Sequence, residues 1–154
     1  MKPLNELKMQ LESRSITEGY ARVAVSSFVS QLDPTIEELN DIKTAVSEAV
    51  TNCIVHAYGD EYGRIYITVR IFENGAAEIR IRDRGCGIAD VKKAMEPLFT
   101  TLGGDRSGLG FSVMESFSDK ISVRSRVGVG TTVTLIKKIP RSKLMGALFI
   151  FSGV

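Results

Sequence analysis

Cysteine is scarce, with only Cys53 and Cys86 in 154 residues. Their separation fits no zinc-site spacing, and the pair makes no secreted disulfide framework. A reduced, cytoplasmic protein is the expectation. Histidine is scarcer still: His56 stands alone. Long apolar runs are missing too. The N-terminal "MKPLNELKMQLESRS" has no apolar core of signal-peptide length. The apolar "LMGALFIFSGV", residues 144–154, falls well short of the ~20 residues that span a bilayer. It reads as a tail packed on the domain or on a partner, and no membrane is expected as a partner. There is no internal repeat and no low-complexity stretch. The absence of Gly-x-x-x-x-Gly-Lys-Ser/Thr excludes a P-loop protein, and the six-residue glycine fingerprint of a Rossmann fold is absent as well.

A large charge excess is also lacking. The net charge of +2 gives no argument for direct nucleic-acid binding. The charge is unevenly spread, however. Residues 120–154 hold seven Lys or Arg and no acid, leaving 13 basic against 18 acidic residues in the remainder. A basic surface strand with a solvated tail fits this asymmetry, and so does a basic docking face.

What remains is an ordinary soluble composition, 44% hydrophobic and 25% charged, of a size for one domain over residues 1–143. "NELKMQLE" (5–12) alternates weakly and predicts a short edge strand. Thr17 is placed to cap a helix running to about Leu32, with Tyr20, Val23, Ala24, Ser27, Phe28 and Val29 on one side. Pro34 breaks the chain, and Thr35 with Glu38 forms a capping box. The next helix is expected from Ile36 to about Tyr58. Leu39, Ile42, Val46, Val50, Cys53 and Ala57 make its core face. "RIYITVRIF" (64–72) and "AAEIRIRD" (76–83) predict an antiparallel hairpin. Glycine-rich sequence follows over 84–110, with a short helix at 90–95. "FSVMESFS" reads as helix, and "KISVRSRV" with "TTVTLIKK" as a last hairpin. The order implies an α+β fold, a two-layer sandwich of a mostly antiparallel sheet with helices on one face.

The second helix carries Glu48, Asn52 and His56 four residues apart. Positions so spaced drift only ~40° around a helix, so the three share a stripe well away from the apolar face. That stripe is either solvated or the floor of a cleft. Downstream, "DRGCGI" (83–88) gives Asp-x-Gly-x-Gly after a strand, and "RSGLGF" (106–111) gives Gly-x-Gly before a helix. Glycines let backbone approach a ligand, and a helix N-terminus presents unpaired N–H groups to phosphate. Either motif alone also serves as turn chemistry.

Together, helical Glu-x-x-x-Asn, Asp-x-Gly-x-Gly, Gly-x-Gly and a Gly-Thr-Thr strand resemble the nucleotide-binding fold of histidine kinases, gyrase, MutL and a class of heat-shock chaperones. The resemblance implies ATP and Mg²⁺ as cofactors. It makes Asn52 the Mg²⁺ ligand and Asp83 the acceptor for the adenine amine. Gly85 and Gly87 would shape the adenine pocket, and Thr131 would support the adenine end. Residues 97–110 would form a lid, with Thr100, Thr101, Arg106, Ser107, Gly108, Leu109 and Gly110 near the nucleotide. These roles suit the groups. Mg²⁺ prefers oxygen ligands, an ionised Asp only accepts, and an arginine grips a phosphate bidentately.

"YARVAVSSFVSQLDPT", "IKTAVSEAVTN", "PLFTT", "RSGLGF" and "GTTVTLIKK" resemble the anti-sigma F family of endospore-forming bacteria over nearly residues 5–140. That resemblance implies a cytoplasmic protein serine kinase. It would bind and silence a sporulation sigma factor and phosphorylate an anti-anti-sigma partner on serine. Glu48 would be the general base and Arg22 a partner-docking residue, and a homodimer is implied. With its only histidine inside the nucleotide motif, the chain is not expected to phosphorylate itself on histidine. A non-catalytic module that sequesters sigma with ATP as a structural ligand is the alternative, as is a related stress-response kinase. His56 is read as a helix-end residue helped by the dipole. Cys86 is read as a small residue tolerated between two glycines.

Overall fold

The computed structural model describes residues 1–96 and 110–140. Strand β1 (Asn5–Glu12) leads into helix α1 (Ser15–Val29), and a 3₁₀ turn, Ser30–Leu32, closes that helix. Helix α2 (Ile36–Asn52) runs into a π-helical turn, Cys53–Ala57. Strands β2 (Arg64–Ile71) and β3 (Ala76–Asp83) follow, then the short helices α3 (Val91–Ala94) and α4 (Gly110–Ser116). Strands β4 (Lys120–Arg126) and β5 (Gly130–Lys138) end the described chain.

All strand pairs are antiparallel, in the order β1-β2-β3-β5-β4. β1 is an edge strand, as the sequence predicts, and β5 inserts between β3 and β4. Alternation sets the layers. Ile65, Ile67, Val69 and Ile71 of β2, with Ile79 and Ile81 of β3 and Leu135 of β5, are fully buried against the helices. Each such side chain contributes about 1.5–3 kcal/mol. Their neighbours along each strand face the opposite side, which the helices leave uncovered. This is the two-layer α+β sandwich expected from the sequence.

The capping box forms. The Glu38 N–H donates to Thr35 Oγ1 at 3.1 Å, and the Thr35 N–H donates to Glu38 Oε1 at 2.9 Å. The first helix differs from expectation. It begins at Ser15, and Thr17 lies inside it, buried, with its hydroxyl donating to the Glu12 carbonyl at 2.5 Å. Its buried line is Thr17, Ala21, Val25 and Val29, while Tyr20 and Val23 are 61% and 58% exposed. Small residues at 17 and 21 let α1 lie close on α2, and larger ones would hold the helices apart. α2 also stops being α-helical at Asn52, six residues before its expected end at about Tyr58. Its buried face is Ile42, Ala45, Val46, Ala49, Val50 and, in the π turn, Cys53.

Candidate active site

The two halves of the site meet at the end of α2. On its polar stripe, Glu48 and Asn52 are half-buried, and the first residue of α4 rests on them. A Cβ added to Gly110 would lie 3.3 Å from Asn52 Oδ1 and 3.5 Å from Glu48 Oε2. The α4 backbone therefore lies directly against both side chains. Among the described residues, neither the Glu48 carboxylate nor the Asn52 amide has a hydrogen-bond partner. Both therefore keep their oxygens for a ligand.

One residue beyond Asn52 the second cluster begins. Asp83 ends β3 on the helix side of the sheet and is only 6% exposed. Its Oδ1 accepts the Gly85 N–H at 2.9 Å and the Thr131 N–H at 3.2 Å. Its Oδ2 meets the Cys53 thiol at 3.6 Å. Burial pushes the Asp83 carboxyl above the ordinary carboxylate range, and the two backbone donors and the thiol pull against that rise. Cys53 is buried beside the carboxylate. Desolvation first and the Asp83 charge second push its thiol well up, so it stays a neutral donor.

The end of this helix explains how the Asp-x-Gly-x-Gly loop is held. The carbonyls of a helix's last turn have no partner within the helix. The Ala57 carbonyl accepts the Cys86 N–H at 3.0 Å, and the His56 carbonyl accepts the Cys86 thiol at 3.2 Å. Gly85 lies against the same turn, where a Cβ would stand 2.3 Å from the Ala57 oxygen. On the other side, the Gly128 N–H donates to the Cys86 carbonyl at 2.9 Å, and a Cβ on Gly87 would meet the Arg126 oxygen. Cys86 is thus a clip between α2 and the β4–β5 turn, more than the tolerated small residue expected from sequence.

The structure gathers Gly85 and Thr131 on Asp83 through their backbone N–H groups, with Gly87 in the same loop, and Glu48, Asn52 and Gly110 in a second cluster joined to the first through Cys53. Thr100, Thr101, Arg106, Ser107, Gly108 and Leu109 lie outside the described residues, as does the apolar tail 144–154. Arg22 stands apart, on the exposed side of α1, paired with Glu18 at 3.7 Å. Glu18 in turn accepts from Ser47, the neighbour of Glu48.

Sequence reasoning misses three residues. Cys53 reads as core. Ser125 bonds Thr131 Oγ1 at 2.7 Å and receives the Ile88 N–H at 2.7 Å. Gly130, with φ of +133, has its missing side chain aimed at Asp83. Its only signal is its place before Thr131. Asn52 supplies one amide oxygen, and no group of three or more His, Cys, Asp or Glu able to hold a metal occurs among the described residues. Mg²⁺ fits this donor set only as an ion shared with phosphate oxygens.

Comparison with known proteins agrees with this geometry. The profile of the histidine kinase-like ATPase domain matches residues 11–137. The anti-sigma F factor of Geobacillus thermodenitrificans is 50% identical over 143 residues, 92% of this chain and 97% of that protein. The anti-sigma F factor of Caldanaerobacter subterraneus subsp. tengcongensis is 51% identical over 140 residues, 90% of this chain and 97% of that protein. Among solved structures, the RsbU and RsbW domains of a Mycobacterium tuberculosis protein superpose with a TM-score of 0.67 at 19% identity. That match covers 91% of this chain and 34% of the other. The mycobacterial sensor histidine kinase MprB gives 0.54 at 17% identity, over 88% of this chain and all of the other. These two likenesses concern the fold. The chain belongs to the histidine kinase-like ATPase family and, within it, to the anti-sigma F factors.

Proposed function

We propose that this protein is an anti-sigma factor and an ATP-dependent protein serine kinase. It would silence a sporulation sigma factor and phosphorylate a serine of an anti-anti-sigma protein. The observation that carries the kinase half is the Glu48 carboxylate. It is unpartnered among the described residues, beside the Asn52 amide and under the α4 N-terminus. A protein that only sequestered its target would have no use for a free carboxylate there.

In this reading Asp83 accepts the adenine amine through Oδ2, since Oδ1 already holds two backbone donors. Asn52 Oδ1 would hold Mg²⁺, which neutralises charge on the phosphates. Glu48 takes the proton from the partner's serine as its oxygen attacks the γ-phosphorus, and the bond to ADP breaks. Such a base contributes ~10²–10⁴ in rate, and positioning and electrostatics supply most of the rest. Thr100, Thr101, Arg106 and the glycines of 108 and 110 would close over the phosphates.

Partner docking would use α1. Ile16, Tyr20 and Val23 form an exposed apolar stripe of α1, 80%, 61% and 58% exposed, and Arg22 stands to one side of it. An exposed apolar and aromatic stripe flanked by an arginine has the composition of an interface anchor. Two partners competing for that face would make the switch. A homodimer belongs to the same reading, with the open edge of β1 as its place. No described helix is long and apolar enough to cross a membrane, and a cytoplasmic site of action is part of the proposal.

The test follows phosphate from labelled Mg-ATP to serine on candidate anti-anti-sigma proteins of the same genome. Wild type should transfer. Glu48→Gln should keep ATP and sigma binding and slow transfer by ~10²–10⁴. Unchanged transfer in that variant would sink the base assignment. Wild type that binds ATP and partners without any transfer would establish the sequestering reading.

A further inference from the structure

The outer face of the sheet, opposite the helices, forms a trough at one end, and its lining borders the site above at Asp83, Ser125, Gly130 and Thr131. Strand register sets both Arg82 of β3 and Arg124 of β4 beside Thr132 of β5. Along the same strands, Arg80 stands beside Thr134, and Arg126 beside Gly130. Short residues of β5 therefore make the floor, and guanidinium groups make both walls. Those walls are two strand spacings apart, about 9.4–9.8 Å. The hollow between them measures about 460 Å³.

Arg80, Arg82, Arg124 and Arg126 are all exposed, and none has an ion-pair or hydrogen-bond partner among the described residues. Nearby acids are engaged elsewhere. Glu78 pairs with Arg70, and Asp83 is buried on the helix side. The C-terminal stretch 120–154 contains no acid, so it offers no carboxylate to neutralise the trough. Four like charges around one hollow repel one another unless an anion joins them.

We propose that this trough docks an extended, acid-rich segment of a partner protein. Guanidinium groups match carboxylates in bidentate geometry. The spacing matches as well. An extended segment presents alternate side chains about every 6.6–6.8 Å, the repeat of Arg80 with Arg82 and of Arg124 with Arg126. Single-stranded nucleic acid fits less well, because it is held by stacking on aromatic rings as well as by charge. The aromatic ring here is Tyr66, and Arg84 already lies over it at 4.8 Å. A second copy paired symmetrically through this face would set arginine against arginine.

Fluorescence anisotropy on the full chain tests this with three probes: a peptide alternating glutamate and threonine, a peptide of the same composition with its glutamates in one block, and a poly-dT oligonucleotide. The alternating peptide should bind most tightly, and added salt should weaken it. The double variant R82A/R124A should bind it about tenfold or more weakly while its affinity for ATP is unchanged. Tighter binding of the oligonucleotide would overturn the proposal, as would equal affinity for the two peptides. Wild-type affinity in the double variant, or no saturable peptide binding, would do the same.

Discussion

Replacing Gly130 by alanine should destabilise the fold and disturb nucleotide binding together. A Cβ at this position would lie 2.2 Å from the Asp83 carbonyl oxygen and 2.8 Å from the Arg84 Cα. Both are backbone atoms and cannot swing aside. A side chain at φ of +133 is strained in addition. Strain of ~1–3 kcal/mol and overpacking of ~1–3 kcal/mol give a loss of roughly 2–6 kcal/mol. Relief requires the start of β5 to move off β3, which breaks the 3.2 Å bond from the Thr131 N–H to Asp83 Oδ1. That donor is one of the groups restraining the Asp83 carboxyl, so its pKa should climb further. Gly128→Ala is the control. It shares a positive φ, +78, but its Cβ would meet nothing within 4 Å. Urea unfolding gives the stability of both variants, and calorimetric titration with ATP across a pH series gives the affinity. Gly130→Ala should lose more stability than Gly128→Ala and should lose ATP affinity at a higher pH than wild type. A Gly130→Ala protein no less stable than Gly128→Ala, with the wild-type pH profile, would refute the reasoning.

Asn52→Ala should abolish the Mg²⁺ dependence of ATP binding, read by titration with and without the ion; a dependence that survives removes Asn52 as ligand. Acidification should have opposite effects on the unliganded fold and on ATP binding through Asp83. Its raised pKa means the folded state holds this proton more tightly than the unfolded chain. Its own contribution to stability therefore rises as pH falls through the window between the ordinary and raised values, whereas the ionised form that accepts an amine is lost. The difference between wild type and Asp83→Asn in unfolding and ATP-binding pH profiles isolates both trends. Exposed Cys86 should react with a thiol reagent in the folded protein, and buried Cys53 only after denaturant is added. Equal rates for the two would contradict the placement of α2.

The sheet was legible because alternation over 64–71 and 76–83 has one physical solution, with Ile65, Ile67, Ile79 and Ile81 inward. The capping box at Thr35 and Glu38 was legible for the same reason, since the motif specifies its own bonds. α1 was not, because its sequence carries two apolar lines. Tyr20 and Val23 are the more hydrophobic pair to the eye, yet the line through Ala21 and Val25 is buried. Helix–helix distance chose between them, and periodicity does not encode distance. In the site, Glu48, Asn52 and Asp83 were legible from motif spacing. Ser125 and Gly130 act on Thr131 and Asp83 through register between β3, β4 and β5, and Cys53 reaches Asp83 from the end of α2; no local pattern reveals either.

The helix end shows why one misread boundary matters. Helical spacing predicted regular α-helix to Tyr58, whereas the last turn, Cys53–Ala57, is π-helical. The carbonyls of a helix's last turn have no partner within the helix, and here the His56 and Ala57 oxygens accept the Cys86 thiol and N–H. The loop that follows Asp83 is thereby fastened to the helix that carries Glu48 and Asn52. Cys53 within the turn touches Asp83 itself. The adenine end and the phosphate end of the proposed site are thus fixed to one rigid element. His56 takes part in this clip through its backbone carbonyl.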